Sequence, residues 1–87
     1  MAKPIQRITV IGAGAWGTAL ASVARRAGRD VTIHAHEPET AAAINGQHEN
    51  TVFLPDIPLD PEIRATPDLK DAASDADAIL MVTPAQF

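Results

Sequence analysis

Apolar positions along the chain switch several times between a two-residue period and a helical one. Ile8-Thr9-Val10-Ile11 is a short β-branched run that stops at Gly12, the pattern of a buried strand. Beyond it, Trp16, Leu20, Val23, Ala24 and Ala27 recur at helical spacing, while Ser22, Arg25 and Arg26 lie towards the other side. Gly28 follows the last periodic residue, where a left-handed helix cap is expected. Val31 to Ala35 reads as a second strand. Thr40 to Ile44 is alanine-rich and helix-prone, with Glu37-Pro38-Glu39 near its start and Asn45-Gly46 as its expected stop. Asn50 to Pro61 holds three of the seven prolines and reads as a stiff, irregular connection. Ile63 to Thr66 predicts a short third strand. Pro67-Asp68 opens a helix through about Ala73, and Asp77 to Thr83 is a strongly apolar fourth strand stopped by Pro84. There is no internal repeat and no low-complexity segment.

Strands alternating with helices predict right-handed crossovers and a parallel sheet. The expected fold class is α/β, a Rossmann-type parallel sheet of order 3-2-1-4 with its switch point between the first and fourth strands. Ligands of such sheets bind beyond the carboxyl ends of those two strands, here Ile11-Gly12 and Thr83-Pro84. Only one half of a doubly wound sheet is encoded, so residues 1–87 read as a truncated first half. The fourth strand is apolar on both faces from Ala78 to Val82, which suits a central position. With no strand beyond it, its edge is expected to pair with another chain, so self-association is anticipated.

Gly12-Ala13-Gly14-Ala15-Trp16-Gly17 matches the spacing G-x-G-x-x-G. Three glycines alone are a weak signal. These follow a strand directly and open an amphipathic helix, which is the context the dinucleotide fingerprint requires. Gly12 allows the tight turn out of the strand, and Gly14 removes the Cβ that would block a pyrophosphate. Gly17 lets the helix pack close to the sheet. Free N–H groups and the positive end of the helix dipole attract the phosphates. The segment is therefore read as the N-terminal part of an NAD(P)-binding domain. Trp16 fits either a packing role at the helix start or a wall of the cofactor site.

The end of the second strand selects between the two cofactors, because NAD-specific domains place an acidic residue there for the ribose 2′-hydroxyl. The expected position is Ala35, which leaves room for a 2′-phosphate, and His36 could meet that phosphate as a donor. Glu37 could instead turn inward and read the hydroxyl. The cofactor is left as NAD(P).

Composition narrows the remaining classes. With 87 residues there is one domain at most, and a hydrophobic fraction of 46% with 21% charged residues is that of an ordinary globular protein. The net charge of −4, with seven Lys and Arg in all, lacks the basic stripe of a nucleic-acid binder. No cysteine is present, which excludes disulfides and thiolate metal sites. The N-terminus lacks the form of a secretory signal, and the longest apolar run falls far short of the ~20 residues that cross a bilayer. No membrane association and a cytoplasmic location are expected. His34 and His36 share a strand face, but no cysteine or carboxylate cluster completes a metal site. Asp68, Asp71, Asp75 and Asp77 read as solvated helix-start and strand-entry residues. No catalytic constellation is evident.

Three ordered segments carry a family resemblance. Val10 to Leu20 resembles the opening of glycerol-3-phosphate dehydrogenases, where an aromatic precedes the third glycine. Ile44-Asn45-Gly46-Gln47-His48-Glu49-Asn50 with Phe53-Leu54-Pro55 is similar to the family's Asn segment and its Tyr/Phe-Leu-Pro turn. Ala76 to Leu80 running into Pro84-Ala85-Gln86-Phe87 is similar to its strand and Pro-x-Gln turn. The resemblance implies reversible reduction of dihydroxyacetone phosphate to sn-glycerol 3-phosphate, feeding phospholipid synthesis. It implies that Ala15 and Trp16 line the dinucleotide beside the glycine loop, with His36 next to the adenosine ribose. It places Phe87, after the Pro84 turn, near the nicotinamide half. The family's catalytic lysines and helical substrate domain, which take the small phosphorylated substrate, come after Phe87, so the segment alone is expected to be inactive. Two readings compete: another two-domain dehydrogenase sharing the loop, and a non-catalytic nucleotide-sensing module.

Overall fold

In the computed structural model, which describes residues 5–82, the elements alternate as expected. Strand β1 (Arg7–Ile11) leads to helix α1 (Ala15–Arg26), β2 (Asp30–His34) and α2 (Pro38–Gln47). These are followed by β3 (Arg64–Thr66), α3 (Leu69–Ala73) and β4 (Ala78–Met81). The four strands form one sheet of order β3-β2-β1-β4 with every pairing parallel, the predicted Rossmann-type arrangement. Among the described residues no helix is long and apolar enough to cross a membrane.

Register and alternation decide which face each side chain takes. Val10 lies opposite Ile33, and Ile33 opposite Ala65, forming a row that packs with Ala21 of α1 and with Ala41 and Ile44 of α2. Thr9 points to the other face, where its buried hydroxyl donates to the Ala72 carbonyl of α3 at 2.5 Å. Asp68 caps α3 by accepting from the Asp71 N–H at 3.1 Å. The Asp77 carboxylate accepts from the Gln6 and Arg7 amides, both at 2.9 Å, and so fixes the entry of β4 beside β1.

Two local expectations are corrected. The buried face of α1 is Gly17, Thr18 and Ala21, whereas Trp16 and Val23 are exposed. The helix lies so close to β1 that only small residues fit between them, and the larger apolar side chains are displaced to the flanks. Asn45-Gly46 does not stop α2. The helix runs on to Gln47, and His48 takes the left-handed cap with φ 55°, its N–H donating to the Ile44 carbonyl. The Asn45 side chain instead bonds the Ala65 carbonyl and N–H, both at 2.8 Å, which rewards the extra turn. As the order 3-2-1-4 predicts, β4 forms a sheet edge, and Ile79, Leu80 and Met81 are exposed on it.

The glycines of this frame respond in opposite directions to an added methyl group. Gly46 lies inside α2 with no atom within 4 Å of a would-be Cβ, so Gly46→Ala is expected to stabilise the chain by about 0.5–1 kcal/mol. A Cβ on Gly17 would run into the Gly12 carbonyl oxygen, so Gly17→Ala is expected to cost about 1–3 kcal/mol. Thermal melts of the two variants, moving apart on either side of the parent, check both.

Candidate functional site

The chain leaves the carboxyl end of β1 through a turn built around backbone contacts. Gly12 adopts φ 121°, a conformation L side chains rarely take, and a Cβ there would strike the Val82 carbonyl just after β4. Its N–H donates to the His34 carbonyl at 3.2 Å, and Val82 N–H donates to the Ile11 carbonyl at 2.9 Å. Gly17, one turn into α1, sits against the Gly12 carbonyl with Val10 Cγ1 at 3.6 Å from its Cβ position. Three backbone segments thus meet where no side chain would fit.

Gly14 differs from both. It precedes α1 with φ −68° and ψ −178°, and among the described residues nothing lies within 4 Å of its Cβ position. The fold does not need a glycine there; the open space lies towards a cleft. Helix α1 has no side-chain cap and no acidic residue in its first turn, so its leading amides and positive dipole end are not neutralised locally. The cleft measures about 510 Å³, within the ~300–1,000 Å³ usual for small-molecule sites. A second hollow of about 450 Å³ lies at the opposite ends of the strands, bordered by Arg7, Asp30 and Arg64, away from this loop.

Gly12, Ala13, Gly14, Ala15, Trp16, Gly17 and His36 all border the one cleft. Pro84 and Phe87 lie outside the described residues. Trp16 borders the cleft and is 71% exposed, so it is not packed in the core of the described residues. His34 does not pair with His36, since its Nε2 lies 3.2 Å from the Pro67 carbonyl.

The strand-end reading needs a correction. β2 ends at His34, and Ala35 is fully buried in the core, its N–H donating to the Thr66 carbonyl at 3.0 Å. Strand alternation carries Ala35 with Val31 and Ile33 to the inner face, so its Cβ cannot meet a ribose. The side chains that do border the cleft at this end are His34 and Glu37, both half-buried, and His36, exposed.

Sequence reasoning also passed over three residues. Phe53 forms part of the rim and Thr40 part of the wall, where the Thr40 hydroxyl oxygen is buried with no hydrogen-bond partner among the described residues. Asn50 is buried behind the glycine loop. Phe53 and Asn50 stood within the Asn to Leu-Pro segment, which offered no sign of their roles, and Thr40 carried no signal at all.

Comparison with known proteins agrees with this geometry. The family model for the N-terminus of NAD-dependent glycerol-3-phosphate dehydrogenase matches residues 7–87. The chain belongs to this family. A glycerol-3-phosphate dehydrogenase, NAD(P)+, of Rhodospirillum rubrum is 58% identical over 86 residues, 99% of this chain and 25% of that protein. Its counterpart from Caulobacter vibrioides is 63% identical over 81 residues, covering 93% of this chain and 24% of that protein. The crystal structure of the Coxiella burnetii enzyme superposes with a TM-score of 0.80 at 32% identity, over 88% of this chain and 24% of that one. The chain therefore spans about a quarter of the length of the curated relatives it matches.

Membership does not move the strand end, so the correction at Ala35 can be tested directly. Ala35→Asp would bury an unpaired carboxylate and is expected to abolish the cooperative melt rather than alter ligand preference. His36→Asp, on the exposed neighbour, is expected to change stability by no more than about 0.5 kcal/mol. Circular dichroism melts of the two variants separate these outcomes.

Proposed function

We propose that this chain is the N-terminal, dinucleotide-binding part of an NAD(P)-dependent glycerol-3-phosphate dehydrogenase. The whole enzyme would interconvert sn-glycerol 3-phosphate and dihydroxyacetone phosphate, supplying glycerophospholipid synthesis. The observation that carries the reading is the space above Gly14 at the uncapped start of α1, on a loop where the other two glycines are needed by the fold itself. The residues fit the group: amides at the helix start and the dipole suit a pyrophosphate, and glycine at position 14 lets it approach the backbone. A bound nicotinamide supplies the hydride chemistry.

The chain's own side chains set orientation and recognition. Trp16 and Phe53 offer apolar surface on the rim. His36 can donate to a 2′-phosphate, and Glu37 can accept from a 2′-hydroxyl, so the choice between NADP and NAD rests on this pair. Among the described residues the ionisable side chains bordering the cleft are His34, His36 and Glu37, all at the β2 end, which supports a part for His36 and Glu37 in ribose recognition. The chain alone is expected to bind dinucleotide without turnover, since it spans about a quarter of the length of the relatives it matches.

Trp16 is the only tryptophan in the sequence, so its emission reports on the cleft directly. Titration with NADPH or NADH is expected to quench it saturably, with no oxidation when dihydroxyacetone phosphate is added. Gly14→Val is expected to weaken binding by about tenfold or more, about 1.4 kcal/mol, while the melt stays near that of the parent. Unchanged emission and no heat of binding at millimolar dinucleotide would overturn the reading.

We further infer that the isolated chain self-associates along β4. Its outer edge leaves backbone N–H and C=O groups unpaired by the described sheet, and Met81 beside that edge is 74% exposed. Light scattering over a concentration series is expected to show mass rising with concentration, and Leu80→Lys to suppress the rise. A constant monomer mass would refute it.

A further inference from the structure

Behind the glycine loop sits a side chain that dinucleotide contact does not use. Asn50 is fully buried at the start of the turn that brings Phe53 to the rim. Its amide nitrogen donates to the Ala13 carbonyl at 2.6 Å and to the Thr18 hydroxyl at 2.9 Å. Its side-chain oxygen accepts from Phe53 N–H at 3.1 Å. Thr18, also fully buried, donates its own hydroxyl to the same Ala13 carbonyl at 3.4 Å. The Asn50 backbone carbonyl accepts from Leu54 N–H at 2.9 Å and closes the turn.

The Ala13 carbonyl and the Gly14 N–H belong to one planar trans peptide, so they point in opposite directions. Holding the carbonyl inward therefore turns the Gly14 N–H outward. A loop flanked by Gly12 and Gly14 has few side chains with which to hold that orientation, and glycine leaves its backbone the most freedom. The hold has to come from outside the loop. An amide is suited to it, because it gives two donors to two acceptors and keeps an acceptor for the neighbouring turn, which a carboxylate cannot do.

We infer that Asn50 is a positioning residue for the dinucleotide site: it orients the Ala13–Gly14 peptide towards the cleft and couples the glycine loop to the Phe53 rim. The inference rests on the dinucleotide reading above, and the test keeps the two apart.

Asn45 provides a matched control. It too makes two side-chain bonds to backbone, but to Ala65 on β3, and it does not border the cleft. Asn50→Ala and Asn45→Ala are expected to lower the melting temperature comparably, and only Asn50→Ala to weaken NADPH binding, by about tenfold or more. Thr18→Val, which removes one arm of the network at near-constant volume, is expected to weaken NADPH binding by about threefold and serves if Asn50→Ala does not fold. In the ligand-free chain, the Gly14 amide resonance is expected to shift, and its exchange to quicken, in Asn50→Ala but not in Asn45→Ala. Equal loss of affinity in the two asparagine variants, or an unmoved Gly14 amide, would reduce Asn50 to a structural role. If the parent itself binds no NADPH, the dinucleotide reading fails, while the Gly14 amide still decides the orientation.

Discussion

The structure depends on one steric constraint, the approach of α1 to β1 at a distance that no side chain can occupy. Gly17 rests on the Gly12 carbonyl, and Gly12 rests on the Val82 carbonyl, so helix, first strand and the exit of β4 are locked through backbone alone. The constraint fixes where the helix begins relative to the strand ends, and so fixes where its unpaired amides lie. The residues of α1 buried against the sheet are Gly17, Thr18 and Ala21, and at Gly17 not even a Cβ would fit. Apolar side chains of α1 are consequently pushed outward, one of them, Trp16, onto the cleft.

Close backbone packing leaves polar groups with few partners, and the chain meets that problem from a distant segment. Buried carbonyls cost free energy unless they are hydrogen-bonded. Ala13, whose side chain is buried between two glycines, has a carbonyl that no strand or helix partner satisfies in regular geometry; Asn50 and Thr18 both reach it. The segment from Asn50 to Leu59 is thus more than a connection between α2 and β3. Arg25 reinforces it at the far end of α1, donating to the Arg29 carbonyl at 2.9 Å and to the Asp60 carboxylate at 3.3 Å.

What the sequence made legible divides along the same line. The glycine turn and the Asp68 cap follow from local patterns, because each depends on residues within a few positions of one another, and the strand order follows from the general rule for alternating strands and helices. The face of α1 was not legible from periodicity, since hydrophobic spacing presumes that large residues pack inward, and a contact made by glycine and alanine inverts that presumption. The stop of α2 was misread because Asn45-Gly46 has the chemistry of a terminus, whereas Asn45 is held by Ala65, twenty residues away. The buried role of Asn50 is of the same kind: its partners lie 37 and 32 residues off, beyond any local signal.

The misreading at Ala35 shows what such a shift means for recognition. A strand alternates its side chains, so a one-residue displacement of its end exchanges a position facing ligand for one facing core. With β2 ending at His34, Ala35 belongs to the sheet's inner row, and small size there serves packing beneath α2 rather than room for a phosphate. The side chains that border the cleft there are His34, His36 and Glu37, the last two outside regular structure and just before the Pro38 that starts α2. Backbone and side chains therefore divide the site between them. The turn held by the glycine packing lines one part of the cleft, and two adjacent side chains of opposite character, His36 and Glu37, border another. Behind these two surfaces Ala35 and Asn50 are both fully buried, Ala35 held through its N–H to the Thr66 carbonyl and Asn50 through its side-chain amide to the Ala13 carbonyl.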